Sequence, residues 1–191
     1  MILRSFCLGI SLLCASAAVA QTPEPAAEVS DRTLKTLKAL VWQSLPGRIT
    51  QSDQTVVEID KSDPSKIIIP DADAREIIRE AGLTARAHKC DLQDLVIANR
   101  DALLNREKRT GRWTAGQLQY INTLHLFTVQ LLLGKVDVVD AEPSAAAPSP
   151  MICNEKERQD ISSAVEANER LVGPAESPDP HAAGLDGTSR G

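Results

Sequence analysis

The amino-acid sequence predicts a mainly α-helical (α+β) fold: a small helical domain with an antiparallel helical hairpin and a short β-hairpin, flanked by disordered tails. Three observations indicate this class. Apolar residues recur at helical spacing in several stretches that also carry helix start and stop signals. Two short β-branched runs lie between two of these stretches, and proline-rich polar segments lie near both ends.

The clearest predicted element is one long helix between Trp113 and Gly134. Thr114 and Gln117 have the spacing of a capping box, in which each side chain satisfies a free backbone N–H at the helix start. Gly134 readily adopts the left-handed conformation that ends a helix. We expect this helix to be the core of the domain, because large apolar residues recur along it at helical spacing: Leu118, Ile121, Leu124, Phe127, Leu131 and Leu132.

The sequence before this helix predicts a second helix that packs against it. Asp91 is placed to cap a helix that carries a buried apolar stripe and ends near Arg109. Residues 110–112 then form a tight turn into the central helix. Because two helices joined by so short a turn pack side by side in opposite directions, we expect an antiparallel helical hairpin.

The N-terminal part of the domain predicts a helix and a β-hairpin. Ser30 or Asp31 can cap the first helix, and residues 46–47 (Pro-Gly) end it. The β-branched runs at residues 55–60 and 66–69 predict the two strands of a hairpin with a five-residue loop. Its edge could accept a partner strand, but packing against its own domain is the preferred interpretation.

Another helix is expected to open at residues 70–71. Asp73 and Glu76 have the spacing of a second capping pair. Gly82 is expected to break or bend this helix, which leaves a short helical piece through Ala87.

The ends of the chain are predicted to lie outside the domain. A positive residue, an apolar run and the sequence Ala-Val-Ala before Gln21 indicate a secretory signal peptide that is cleaved after Ala20. The predicted organisation is a signal peptide (1–20), a disordered arm (21–29), the helical domain (30–140), an Ala/Pro/Ser linker (141–150), a C-terminal helix (151–172) and a disordered tail (173–191).

Charge and composition restrict the class of partner. The chain has a net charge of −5, and removal of the signal peptide with its one arginine lowers this to −6. An acidic chain is a poor match for nucleic acid or anionic lipid. No segment after the signal peptide is apolar over a length that spans a membrane. We therefore expect a periplasmic or secreted protein, without a cofactor, whose partner is another envelope protein.

Two cysteines, Cys90 and Cys153, remain after signal cleavage. Each directly precedes a predicted helix start. In an exported chain, such a pair predicts a disulfide, which here would tether the weakly apolar last helix to the domain across the linker. The alternative is a reactive thiol or a metal site formed by His88 and Cys90. No Cys-x-x-Cys pattern and too few further ligands accompany these residues, so the disulfide is favoured.

Asn99 and His125 are polar residues inside the apolar stripes of the predicted helical hairpin. Antiparallel packing would bring them to similar heights. The favoured interpretation is a buried hydrogen-bonded pair, with Thr128 as a further partner, that fixes the register of the helices. The alternative makes His125 the general base of a hydrolase. No nucleophile motif accompanies it.

These observations favour a non-enzymatic interaction or structural protein. The alternatives are a hydrolase that uses His125, and a thiol or metal-binding protein that uses His88 and Cys90. The charged runs at residues 99–101 and 106–109 could bind an acidic ligand, although such runs at helix ends are usually solvated. Two surfaces are left as candidate binding surfaces: the edge of the β-hairpin and the charged turn at residues 106–112.

Overall fold

The structure, a computed structural model of the 191-residue chain, describes residues 29–51, 54–136 and 152–172. The predicted mainly α fold with a small antiparallel sheet is confirmed. The signal peptide, the linker, the tail and nearly all of the arm lie outside the described residues. The elements are α1 (Asp31–Ser44), β1 (Arg48–Thr50), β2 (Val56–Glu58), a 3-10 helix (Pro64–Lys66), α2 (Asp71–Lys89), α3 (Gln93–Arg109), α4 (Ala115–Leu132) and α5 (Glu155–Val172).

The predicted long helix is α4, and both of its ends form as the sequence indicates. The Thr114 side chain accepts a hydrogen bond from the Gln117 backbone N–H, and the Gln117 side chain accepts one from the Thr114 N–H. Gly134 adopts a left-handed conformation with φ of 68°. The backbone N–H of Lys135 then donates to the Gln130 carbonyl at 2.9 Å, which satisfies an otherwise free carbonyl at the helix end.

The centre of the fold is the pair α2 and α4, rather than α4 alone. These two helices have the most extensive contact in the molecule, and α2 also contacts α1, α3 and α5. Burial of their facing apolar side chains against α1 and the β-hairpin removes a large apolar area from water, which is the main stabilising contribution. This core contains Leu34, Leu37, Val41, Leu45, Val57, Ile59, Ile67, Ile69, Ala74, Ile77, Ile78, Leu103, Tyr120, Ile121 and Leu124.

The prediction that residues 66–69 form the second strand of the β-hairpin is wrong. β2 pairs with β1, which precedes it, and not with residues 66–69. Asp63 instead caps a 3-10 helix by accepting a hydrogen bond from the Ser65 backbone N–H at 3.0 Å. Ile67 and Ile69 after that turn are buried in the core. These β-branched side chains therefore pack in the core without forming a strand, because tertiary packing overrides their strand propensity.

The predicted break at Gly82 is also wrong, since α2 is continuous from Asp71 to Lys89. A glycine inside a helix costs only about 1 kcal/mol relative to alanine, and the buried residues on either side offset it. The N-terminal capping pair does not form either, because α2 has no side-chain cap and the Asp73 carboxylate binds Arg112 at 2.7 Å.

Asp91 does not cap α3. It has a positive φ of 57° and lies just after the end of α2, in the position that Gly134 occupies after α4. The Leu92 backbone N–H donates to the Ala87 carbonyl at 3.0 Å, as in the glycine-terminated helix end. Aspartate tolerates this conformation better than most residues do, so it ends one helix instead of starting the next.

The last helix, α5, starts where the sequence indicates. The Asn154 side chain accepts a hydrogen bond from the Glu157 backbone N–H at 2.9 Å. Ile161 and Val165 are fully buried in a second apolar cluster with Ala87 and Cys90. None of the five helices in the described part of the chain has the length and hydropathy of a membrane span.

Candidate functional site

The two polar residues in the predicted apolar stripes, Asn99 of α3 and His125 of α4, are both 0 % exposed. They do not bond to each other directly, because Thr84 of α2 lies between them. The Thr84 hydroxyl accepts a hydrogen bond from Asn99 Nδ2 at 2.8 Å and lies 2.9 Å from His125 Nε2. Three helices are thus connected at one level by side-chain hydrogen bonds.

The fourth helix of this cluster is α5. Asn168 Nδ2 donates to Asn99 Oδ1 at 2.8 Å and to Glu80 Oε2 at 2.6 Å. Asn99 Nδ2 also donates to the Glu80 carbonyl at 3.2 Å. We call these five residues (Glu80, Thr84, Asn99, His125 and Asn168) the internal polar cluster. Because buried polar groups are costly unless paired, the cluster favours one register of α2, α3, α4 and α5.

The hydrogen bonds also indicate the tautomer of His125. If Nε2 carries the proton, the Thr84 hydroxyl accepts from both His125 and Asn99 and donates to the Glu80 carbonyl, 3.4 Å away. This arrangement uses the full capacity of the hydroxyl. It leaves His125 Nδ1 as an acceptor without a partner, which costs less than a buried N–H without one.

Burial of the imidazole, together with the smaller effect of the nearby positive charge of Arg100, lowers the pKa of His125 to about 4. His125 is therefore neutral at neutral pH. A general base must come within hydrogen-bond distance of the proton that it removes. The enclosed imidazole gives a substrate no such access. Thr128, which the sequence proposed as a further partner, is also buried, but its hydroxyl has no hydrogen-bond partner among the described residues.

Several charged residues at the turn between α3 and α4 form ion pairs with one another. Glu107 is nearly buried, and its carboxylate accepts a hydrogen bond from Trp113 Nε1 at 2.7 Å. It also lies 3.3 Å from Arg106 Nε and 3.4 Å from Arg112 Nη2. The Arg112 guanidinium stacks over the Trp113 ring at 4.2 Å. Arg106 and Arg112, two cations of the candidate binding surface at residues 106–112, are therefore paired with the protein's own carboxylate.

Cys90 and Cys153 form a disulfide that connects the end of α2 to the start of α5. The surrounding contacts hold the same junction. Arg158 Nη1 donates to the Cys90 carbonyl at 2.7 Å, and Arg86 binds Glu157 at 2.8 Å. Closing a loop of 63 residues stabilises the fold by about 4 kcal/mol in the chain-entropy model.

The disulfide also bears on the thiol and metal alternatives at His88 and Cys90. A sulfur in a disulfide is neither a thiolate nucleophile nor a metal ligand. Within the three described ranges, no group of three His, Cys, Asp or Glu side chains is placed to hold a metal ion.

The described surface contains a groove of about 630 Å³, which we call the α3–α4 groove. The end of α3 lies beside the start of α4, and Arg100 Nε donates to Asn122 Oδ1 at 3.1 Å, so the two helices run antiparallel. β1 forms a further wall. The groove is lined by Ile49, Thr50, Gln51, Arg100, Leu104, Lys108, Ala115, Leu118, Gln119 and Asn122.

The α3–α4 groove combines positive charge with apolar surface. Arg100 and Lys108 are its two charged residues, and no carboxylate lines it. Neither cation forms an ion pair with another residue that the structure describes. One helical turn beyond Arg100 and Asn122, Ile97 is 59 % exposed and Leu126 is 40 % exposed, which extends the apolar surface along the same two helices.

β1, which lines the α3–α4 groove beside α3 and α4, has an open strand edge. The Gln51 N–H donates to the Thr55 carbonyl and the Ile59 N–H donates to the Gly47 carbonyl, so odd-numbered residues of β1 bond toward β2. The backbone groups of Arg48 and Thr50 consequently point to the opposite edge. The two-stranded sheet places no described strand on that edge.

Comparison of this chain with protein-family models, with curated proteins and with solved structures gives no match. Sequence reasoning identified Asn99 and His125 but missed Thr84, Glu80 and Asn168. Thr84 and Glu80 follow Ile77 at helical spacing on the buried face of α2, a signal that the expected break at Gly82 obscured. The groove itself depends on the packing of three separate elements, for which a single sequence contains no direct signal.

Proposed function

We propose that this chain is an exported, non-enzymatic interaction protein that holds a partner in the α3–α4 groove. One observation carries the proposal. The groove brings together apolar lining residues and two cations that have no carboxylate partner among the described residues, and exposed Ile97 and Leu126 lie next to it. Exposed apolar surface with adjacent unpaired charge is typical of interaction sites.

Export is supported by two independent features. The first 20 residues have the charge, apolar run and cleavage pattern of a signal peptide. The Cys90–Cys153 disulfide is of the kind that persists in oxidising compartments such as the periplasm or the extracellular space. The expected partner is therefore another envelope or secreted protein.

The non-enzymatic assignment is supported by the environment of the candidate reactive groups. A hydrolase would need the His125 imidazole to reach a substrate, and this side chain is enclosed by Thr84 and the surrounding helices. A thiol or metal function would need the Cys90 sulfur, which is bonded to Cys153. Neither His125 nor Cys90 lines the groove.

The proposal is tested by capturing partners from envelope extracts with the tagged full chain after crosslinking. The test variant is Arg100→Glu/Lys108→Glu, which reverses both groove charges. The matched control is Lys35→Glu/Lys156→Glu, which reverses two exposed charges on α1 and α5. Circular dichroism and thermal melting confirm that both variants are folded.

We expect the wild type and the control variant to capture the same partner, and the groove variant to lose most of it, because a like-charge contact disfavours the complex. If the folded groove variant captures the same proteins at the same yield as the wild type, the groove is not the binding site and the proposal is rejected.

A further inference from the structure

We infer that the occupant of the α3–α4 groove is an extended acidic segment of a partner protein, which adds as a third strand to the free edge of β1. This inference rests on the proposed function and specifies the chemistry of the partner. It combines three features of the groove: the open strand edge, the two cations and the apolar surface between them.

The strand edge determines the backbone conformation of the occupant. Arg48 and Thr50 direct up to four backbone hydrogen-bonding groups away from β2. An extended segment satisfies these groups through the same ladder that joins β1 to β2. A helical occupant has no free main-chain groups for this purpose, because its N–H and C=O groups bond internally.

The cations determine the charge of the occupant. Arg100 and Lys108 are the only charged residues among those that line the groove, and neither forms an ion pair with another described residue. They therefore attract an acidic segment and repel a basic one. Two cations are too few for a nucleic-acid occupant, whose many phosphates require a larger basic surface.

The spacing on α3 predicts a side-chain pattern. Arg100 and Lys108 are eight residues apart, which is about 12 Å along a helix axis, and Leu104 lies midway. On an extended chain a similar distance, about 13–14 Å, separates residues four apart, and these lie on the same face. The fitting pattern is an acidic residue, an apolar residue two positions later and a second acidic residue after two more.

The chain itself contains an acidic β-branched segment, residues 137–140 (Asp-Val-Val-Asp), but this segment is too short to reach the site. The groove extends along α4 from Asn122 to Ala115, and these residues precede the end of α4 at Leu132 by about 15 and 26 Å along the helix axis. Four extended residues span only about 14 Å, so the segment cannot extend along the groove. The occupant is therefore assigned to another protein, and the same segment of a second copy becomes an outcome of the test.

The experiment measures binding of a fluorescein-labelled peptide to the full chain by fluorescence polarisation. The probe is Asp-Thr-Val-Thr-Asp-Thr, which carries the predicted pattern. One control peptide has lysine in place of aspartate, and another carries N-methyl groups on alternate backbone amides. The protein variants are Arg100→Gln/Lys108→Gln, Thr50→Pro and the matched control Lys35→Gln/Lys156→Gln.

We expect the acidic peptide to bind the wild type and the matched control equally. Neutralising each groove cation should weaken binding by up to about fivefold, as for exposed ion pairs, and added salt should have the same effect. Thr50→Pro should weaken it further, because this substitution removes one edge N–H without removing a β1–β2 bond. The N-methylated peptide should bind at least about tenfold more weakly.

Three outcomes would overturn the inference: equal binding of the lysine peptide, equal binding of the N-methylated peptide, or no effect of the cation substitutions. Concentration-dependent dimerisation of the wild type that disappears in Arg100→Gln/Lys108→Gln would identify a second copy as the occupant and would also overturn it. If partner capture still depends on the groove charges while the acidic peptide fails to bind, this inference is rejected and the proposed function stands.

Discussion

Asn99 and Arg100 are consecutive residues of α3, yet they belong to regions of opposite character. Asn99 is 0 % exposed and uses its amide to connect α2, α3 and α5. Arg100 points about 100° away around the helix and lines the α3–α4 groove, where its Nε donates to the Asn122 amide oxygen. The comparison shows that the surroundings of a polar residue, more than its chemical type, decide whether it serves the fold or remains available to a partner.

The same contrast separates the two groups of cations near the helical turn. Arg106 and Arg112 surround the nearly buried carboxylate of Glu107, where they offset the cost of its burial. Lys108, on the other side of α3, faces the groove without an ion pair among the described residues. Sequence proximity alone would place all three in one binding patch, whereas the packing assigns them to two regions.

The largest expected effect is the loss of the disulfide that holds α5 against the internal polar cluster. Cys90→Ala/Cys153→Ala should lower the free energy of unfolding by about 4 kcal/mol, because the unfolded chain is no longer restrained. Chemical denaturation measures the total loss. Hydrogen exchange should locate the first loss of protection in α5, and uniform loss across all five helices would contradict its role as a tether.

The next effect is a pH dependence that belongs to the internal polar cluster. The folded-state pKa of His125 is about 4, below its ordinary value of 6.5, so the unfolded state binds more protons between these values. The contribution of His125 to the free energy of unfolding is therefore complete above about pH 6.5. It decreases as the pH is lowered toward 4, by up to about 3 kcal/mol. Urea denaturation at a series of pH values measures this slope.

The matched variant for this dependence is His125→Gln, which keeps a hydrogen-bonding group for Thr84 and does not titrate. Its stability should be nearly constant between pH 6.5 and 4, apart from small shared effects of other groups. A wild-type slope that persists in His125→Gln would show that another residue causes it.

A smaller effect is expected from Thr84→Val, which keeps the shape of the side chain but removes its hydroxyl. Asn99 and His125 would each lose a hydrogen-bond partner in the interior, at a cost of about 2 kcal/mol. The control is Thr123→Val on α4, which removes only a local bond to the Gln119 carbonyl. Equal losses of stability in the two variants would contradict a special role of the cluster.

The smallest effect on stability should come from the groove. Arg100→Gln/Lys108→Gln should change the free energy of unfolding by no more than about 0.5 kcal/mol, as is usual for surface substitutions. Thermal melting beside Lys35→Gln/Lys156→Gln measures the difference. A loss comparable to that of Thr84→Val would mean that these cations serve the fold and would remove the distinction between the two regions.

Local signals explain which elements were predictable. The caps at Ser30, Thr114 and Asn154 and the glycine stop at Gly134 all act within a few residues, and the structure contains each of them. Errors occurred where a local preference met tertiary packing. Gly82 lies inside α2 despite its weak helix propensity because both flanking segments bury side chains.

The functional regions were less predictable for a related reason. Asn99 and His125 stood out as polar residues in apolar stripes, but their common partner Thr84 is distant in sequence and became evident only from the packing of α2. β1 was missed because it has only three residues and directly follows a Pro-Gly pair. Without that strand, neither the third wall of the groove nor its open edge could be derived.

The central claim is that the internal polar cluster serves the fold and the α3–α4 groove serves a partner. Its most direct test is partner capture by Thr84→Val and by Arg100→Glu/Lys108→Glu, side by side, at a temperature where both are folded. We predict that Thr84→Val retains the partner despite its lower stability and that the groove variant loses it at an unchanged melting temperature. Loss of the partner by folded Thr84→Val, with retention by the groove variant, would contradict the claim.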